Sequence, residues 1–91
     1  MNAGNEVTEM WHEIHAEEQA KREARKVANL AVLRATPIPF EYRNFGDVVL
    51  LRSKGYPAVD FWPTRNHWKV GNLDMLGDAH ELVIWLKRRA L

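Results

Sequence analysis

Cysteine is absent from the chain, and its absence excludes disulfides, thiolate zinc sites and cysteine nucleophiles while fitting a reducing compartment. No apolar run approaches the roughly 18 residues that a membrane-spanning helix needs. The opening MNAGNEVTEM lacks the basic start and apolar centre of a secretory leader. Cytoplasmic residence and no membrane partner are therefore expected. Repeats and low-complexity linkers are also missing. A chain of 91 residues buries only about 60% of the surface it exposes when unfolded, enough for one core and not for two. A single domain over residues 1–91 follows, with 1–16 as a helical extension and 17–91 as the folded core.

Excess charge is scarce too, at a net +1. The charges are nonetheless segregated: residues 1–20 hold five Glu and no cation, residues 21–54 hold eight basic and three acidic side chains, and residues 55–91 hold five and four. The middle of the chain is basic. A hydrophobic fraction of 46% and four tryptophans place the protein among globular chains and not disordered ones.

Between Asn5 and Ala35 there is neither proline nor glycine, and Ala, Glu, Lys and Arg dominate. Such a run predicts one long helix, or two end to end. Glu17 with Lys21 and Glu18 with Arg22 are favourably oriented i,i+4 pairs. Ala20, Ala24, Val27, Ala28, Leu30 and Ala31 form the expected core face of its second half. In the first half Met10, Trp11 and Ile14 make an apolar patch that needs a covering surface, either the sheet on which it folds back or another chain. Pro37 and Pro39 end the helix.

Three strand-like runs follow, Phe40–Asn44, Asp47–Arg52 and Ala58–Trp62, separated by the turn signals FGD and SKGYP, with a short fourth at His67–Val70 after PTRN. The middle run, VVLL, is apolar on both faces and is expected to be covered on both. Phe61 should face the core, Pro63 should set the turn, and Trp62 should meet Trp68 across the hairpin. Gly71 and Asn72 break the pattern. A last helix begins near Asp78, capped by Asp78 with Glu81 three residues on, and Lys87, Arg88 and Arg89 fall in its final turn. The fold class is α+β: a two-layer sandwich of a long N-terminal helix, a three- to four-stranded antiparallel meander and a C-terminal helix.

Chemistry is thinly signalled. His12 and His15 lie three apart with Glu13 and Glu17 nearby, which is not the i,i+4 pair of a zinc helix. Asp47, Asp60 and Lys69 have no nuclease-like spacing. His67 beside Arg65 could act as acid and phosphate clamp, yet a histidine next to a turn is more simply a solvated one. We expect no catalytic residue, no metal centre and no cofactor. Binding is the better expectation. Met10, Trp11 and Ile14 are candidates for a protein partner or a homodimer through the N-terminal helix, and Arg65, Asn66 and His67 for a recognition tip. Arg43, Arg52, Lys54, Arg65, Lys69, Lys87, Arg88 and Arg89 are the candidates for nucleic acid, with Trp62 or Trp68 as a stacking platform.

The stretch FEYRNFGDVVLLRSKGYPAVDFWPTRNHWKV resembles a group of small proteins encoded by tailed phages and prophages. In that group an Ala, Arg and Glu-rich helix precedes a strand pair, an IDFWP or IDFYP strand, a short turn, a Trp and a closing helix. Val59, Asp60, Phe61, Trp62, Pro63 and Trp68 carry the likeness, which spans roughly residues 22 to 90. The element order is also similar to that of double-stranded RNA-binding domains and of small ribonuclease toxins. The former place lysines at the start of their second helix, where this chain has LGDAHE, and the latter a Gly-Ser-His run that is absent here. What the phage resemblance implies is an accessory protein that binds and modulates a host protein in the host cytoplasm. Nucleic-acid binding is the alternative, and RNA cleavage a distant third.

Overall fold

A computed structural model of the chain describes the backbone of residues 3–89 and the side chains of residues 17–89. Helix α1 spans Ala3–Arg34, strands β1 to β5 span Phe40–Arg43, Val48–Leu51, Val59–Trp62, His67–Val70 and Leu73–Leu76, and helix α2 spans Ala79–Arg89. The strands form one antiparallel meander in the order β1-β2-β3-β4-β5. This is an α+β fold with one more strand than the sequence pattern suggested. The extra strand is β5, joined to β4 by the two residues Gly71 and Asn72, with Gly71 at φ +60 supplying the left-handed backbone that tight hairpins require.

Both helices lie on one face of the sheet. Leu30 and Leu33 of α1 and Ala79, Leu82, Val83 and Leu86 of α2 bury against Val49, Leu51, Val59, Phe61 and Trp68. Phe61 thus faces the core as expected. Among the described residues no layer covers the opposite face, and the expectation that VVLL is covered on both sides fails: Val49 and Leu51 are buried while Val48 and Leu50 are half-exposed. Period-2 geometry puts alternate residues on opposite faces, and both helices pack on one.

Among the described side chains of helix α1, those that pack on the sheet lie in its last turns. Residues 17–24 are all exposed, and the packed stripe runs through Arg25 and Lys26, Asn29 and Leu30, Val32 and Leu33. Of the expected core face only Leu30 is buried; Ala20, Ala24, Ala28 and Ala31 face solvent and Val27 is 60% exposed. Leucines offer far more apolar area than alanines, so the leucine face is the one the sheet takes up. Residues 17–24 project beyond the packed turns. A radius of gyration of 17.1 Å compares with about 12 Å for a compact chain of this length, and the long axis of the molecule is 66 Å. The helix closes where Thr36 donates its backbone N–H and its hydroxyl to the Leu33 carbonyl, just before Pro37.

The turn between β1 and β2 holds three successive left-handed residues, Asn44, Phe45 and Gly46. At Gly46, φ is +87 and a Cβ would sit 2.7 Å from Leu30 Cδ1, so only glycine permits this approach of turn to helix. Lys26 clamps the same turn through Asp47 at 2.9 Å. At the other end of the chain, Asp78 accepts the Glu81 backbone N–H at 2.9 Å, which is the expected cap of α2.

Candidate functional site

Asn29 organises the end of the molecule where α1, the β3–β4 turn and the start of α2 converge. Buried at 4% exposure, it donates from Nδ2 to the Pro63 carbonyl at 2.7 Å and to Asn66 Oδ1 at 2.8 Å, and its Oδ1 accepts the Ala79 backbone N–H at 3.0 Å. Arg25 adds a bond to the Thr64 carbonyl at 2.7 Å. Pro63 takes the first corner of the turn, closed by Arg65 N–H to the Trp62 carbonyl at 3.0 Å, as its sequence suggested.

That anchoring separates the three residues expected as a recognition tip. Asn66 points inward to Asn29, His67 lies on the open face of the sheet, and Arg65 alone of the three is exposed. The expected contact of Trp62 with Trp68 does not form either. Trp62 stacks on His67 on the open face, with ring centroids 5.1 Å apart and planes 20° from parallel, while Trp68 pairs in register with Phe61 and packs edge-on against Trp85 of α2. The two are one step out of phase, so the pleat sends them to opposite faces.

The open face is charged but balanced. Arg43 pairs with Glu41 at 3.1 Å, Arg52 with Asp60, and His67 with Asp74 at 3.2 Å, while Lys69 lies in register between Asp60 and Asp74. Arg52 also donates to the carbonyls of Leu51 and Val59. A face whose cations already have carboxylate neighbours offers little to a phosphate backbone. The remaining basic candidates are dispersed: Lys54 is in the β2–β3 turn, Arg65 at the opposite end, and Lys87, Arg88 and Arg89 on α2. Among the described residues no three His, Cys, Asp or Glu side chains gather to hold a metal ion. Burial raises the Tyr42 phenol above its ordinary range, against the opposing pull of Arg34, whose guanidinium lies 5.3 Å over the ring.

Two clefts flank Trp85. The first, of about 450 Å³, is walled by Tyr56, Pro57 and Arg89, whose guanidinium stacks 4.3 Å from the Trp85 ring centroid. The second, of about 280 Å³, opens between β5 and α2, with Met75 and Leu76 on one side, Ile84, Trp85 and Arg88 on the other, and Trp68 and Glu81 completing it. Trp68 is 3% exposed, yet its Nε1 is buried without a hydrogen-bond partner among the described residues. Gly77 lets this end close: a Cβ there would lie 3.2 Å from Trp68 Nε1 and collide with the Glu81 carboxylate.

Beside the second cleft, β5 is an edge of the sheet, unpaired on its outer side among the described residues. Leu73 is 65% and Leu76 84% exposed. Neither cleft nor edge appeared in the sequence reading, because β5 itself did not. Gly71-Asn72 between HWKV and LDML was the available signal, a two-residue hairpin turn. Met10, Trp11 and Ile14 lie within α1, but their side chains, like those of His12 and His15, are outside the described residues. Compared with protein-family models, curated proteins and solved structures, the chain matches none.

Proposed function

We propose that the protein is a non-enzymatic, protein-binding accessory factor of a phage or prophage, acting on a host protein in the host cytoplasm, and that it engages its partner at the β5 edge and the cleft between β5 and α2. The observation that carries this reading is the coincidence of an unpaired strand edge bearing two exposed leucines with an adjoining apolar cleft. Strand addition uses such pairs of features: edge backbone groups supply affinity and a neighbouring pocket supplies specificity. Charge pairing of Arg43 and Arg52 on the open face favours a protein over nucleic acid.

The test is capture from a bacterial host lysate, with and without nuclease, using wild type, Leu76→Lys and Trp11→Ala. A protein retained after nuclease by wild type and lost with Leu76→Lys supports the reading. Loss with Trp11→Ala alone would move the interface to α1. Capture that vanishes with nuclease, together with heparin retention that collapses as salt is added, would overturn it in favour of nucleic acid.

A further inference from the structure

The rows of side chains that cross the sheet end abruptly at β5, and their pattern specifies what should come next. We propose that β5 accepts an extended peptide segment of the partner, antiparallel, carrying a lysine or arginine opposite Asp74 and an apolar side chain opposite Met75. This rests on the protein-binding reading above and gives the chemistry of the bound segment.

On the helix-covered face, one row runs Tyr42, Val49, Phe61, Trp68, Met75. An added strand continues it with a side chain directed into the cleft between β5 and α2, where Met75, Ile84 and Trp85 are apolar neighbours. On the open face the corresponding row ends Asp60, Lys69, Asp74, alternating in sign. Directly opposed unlike charges stabilise a strand pair and like charges oppose it, so the next position takes a cation. Asp74 has room for one: its side chain is 66% exposed, and its hydrogen-bonding neighbour is His67 at 3.2 Å. The next row along that face, Trp62, His67, Leu76, ends on a leucine that is 84% exposed and calls for an apolar neighbour.

In registers centred on the middle of β5 a second copy of this chain fits the edge poorly; centred on Leu73 it would set the two leucines together, a case that the mass measurement below separates. Two β5 strands related by a two-fold axis through Asp74 would oppose the two carboxylates. An axis through Met75 would set Asp74 against Leu76. An axis between the two would oppose side chains from different faces, which the pleat forbids. The unpartnered Trp68 Nε1 marks the same place from a different direction. A buried indole N–H without an acceptor is costly, and Trp68 and Glu81 both line this cleft.

The experiment uses short fluorescein-labelled peptides whose central residues, opposite Leu76, Met75, Asp74 and Leu73, are Leu-Leu-Lys-Val, with variants carrying Glu for Lys, Ser for the second Leu, or a scrambled order. Fluorescence anisotropy with the full chain should rank the Lys peptide about fivefold above the Glu peptide, with the Ser and scrambled peptides weaker than the Lys peptide. Asp74→Lys should reverse the order and Asp74→Asn should abolish it, both with unchanged circular dichroism. A preference indifferent to residue 74, or no binding by any peptide, would overturn the proposal, while nuclease-resistant capture of a host protein would leave the broader reading standing. A mass in light scattering that is twice the monomer for wild type and single for Leu76→Lys would show a second copy on the edge and overturn it likewise.

Discussion

The two edges of the sheet are both four-residue strands, finished in opposite ways. Strand β1 is preceded by Pro37 and Pro39, carries Glu41 and Arg43 as an ion pair on its open face, and packs Phe40 and Tyr42 against the core under Arg34. Strand β5 has no proline near it and one charge, and its two leucines face solvent. Charged residues and prolines are the ordinary means of keeping an edge from pairing with other chains. Having them at one edge and lacking them at the other separates a boundary of the fold from a surface open to pairing.

The largest break in this comparison is expected from Trp68→Ala. Trp68, buried in β4, neighbours Met75 of β5 in register and packs edge-on against Trp85 of α2, and truncating a buried tryptophan costs about 3 to 5 kcal/mol. A domain this small has few more to lose. The urea midpoint should drop accordingly, and in hydrogen exchange β5 should lose protection before β1. Equal loss at both edges would mean that β5 is not the less securely held strand.

The turns that feed the two edges sharpen it next. Gly46→Ala, before β2 and against Leu30, meets both a positive φ and a 2.7 Å contact, and should cost about 2 to 3 kcal/mol. Gly71→Ala, in the turn that starts β5, meets open space at φ +60, leaving only the backbone preference, about 1 kcal/mol. Thermal or urea denaturation of the two variants checks the difference; equal costs would remove the close approach of α1 to the β1–β2 turn as a constraint.

These contrasts also explain what could be read in the sequence and what could not. The α1 run, the proline stop, the first four strands and the Asp78 cap were legible because each rests on local chemistry: propensity, a missing N–H, alternation, a side chain that reaches a nearby donor. What failed depends on neighbours distant in sequence. The side of α1 that packs is decided by Leu30 and Leu33 meeting the sheet and by Asn29 reaching residues 63, 66 and 79, not by where the alanines lie. Asn66 looked free in sequence because its partner is 37 positions away. LDML alternates weakly over four residues, so β5 went unread, and with it the cleft and the free edge. The tryptophans were visible throughout, but the face each takes follows from register.

The smallest expected effect tests the edges directly. Leu76→Lys would give β5 the kind of charge β1 already has, and Arg43→Val would strip β1 of its own. Residue 76 is 84% exposed and the Arg43–Glu41 pair is a surface one, so each change should alter unfolding free energy by no more than about 0.5 kcal/mol. Association should nevertheless respond in opposite directions. Leu76→Lys should lose peptide binding at β5, whereas Arg43→Val should leave that binding intact and make the chain more prone to self-association on concentration, as followed by light scattering. If Arg43→Val were as soluble as wild type, the Arg43 charge would not be the protection of β1, and Glu41, the prolines that precede the strand and the cover from Arg34 would have to carry that role.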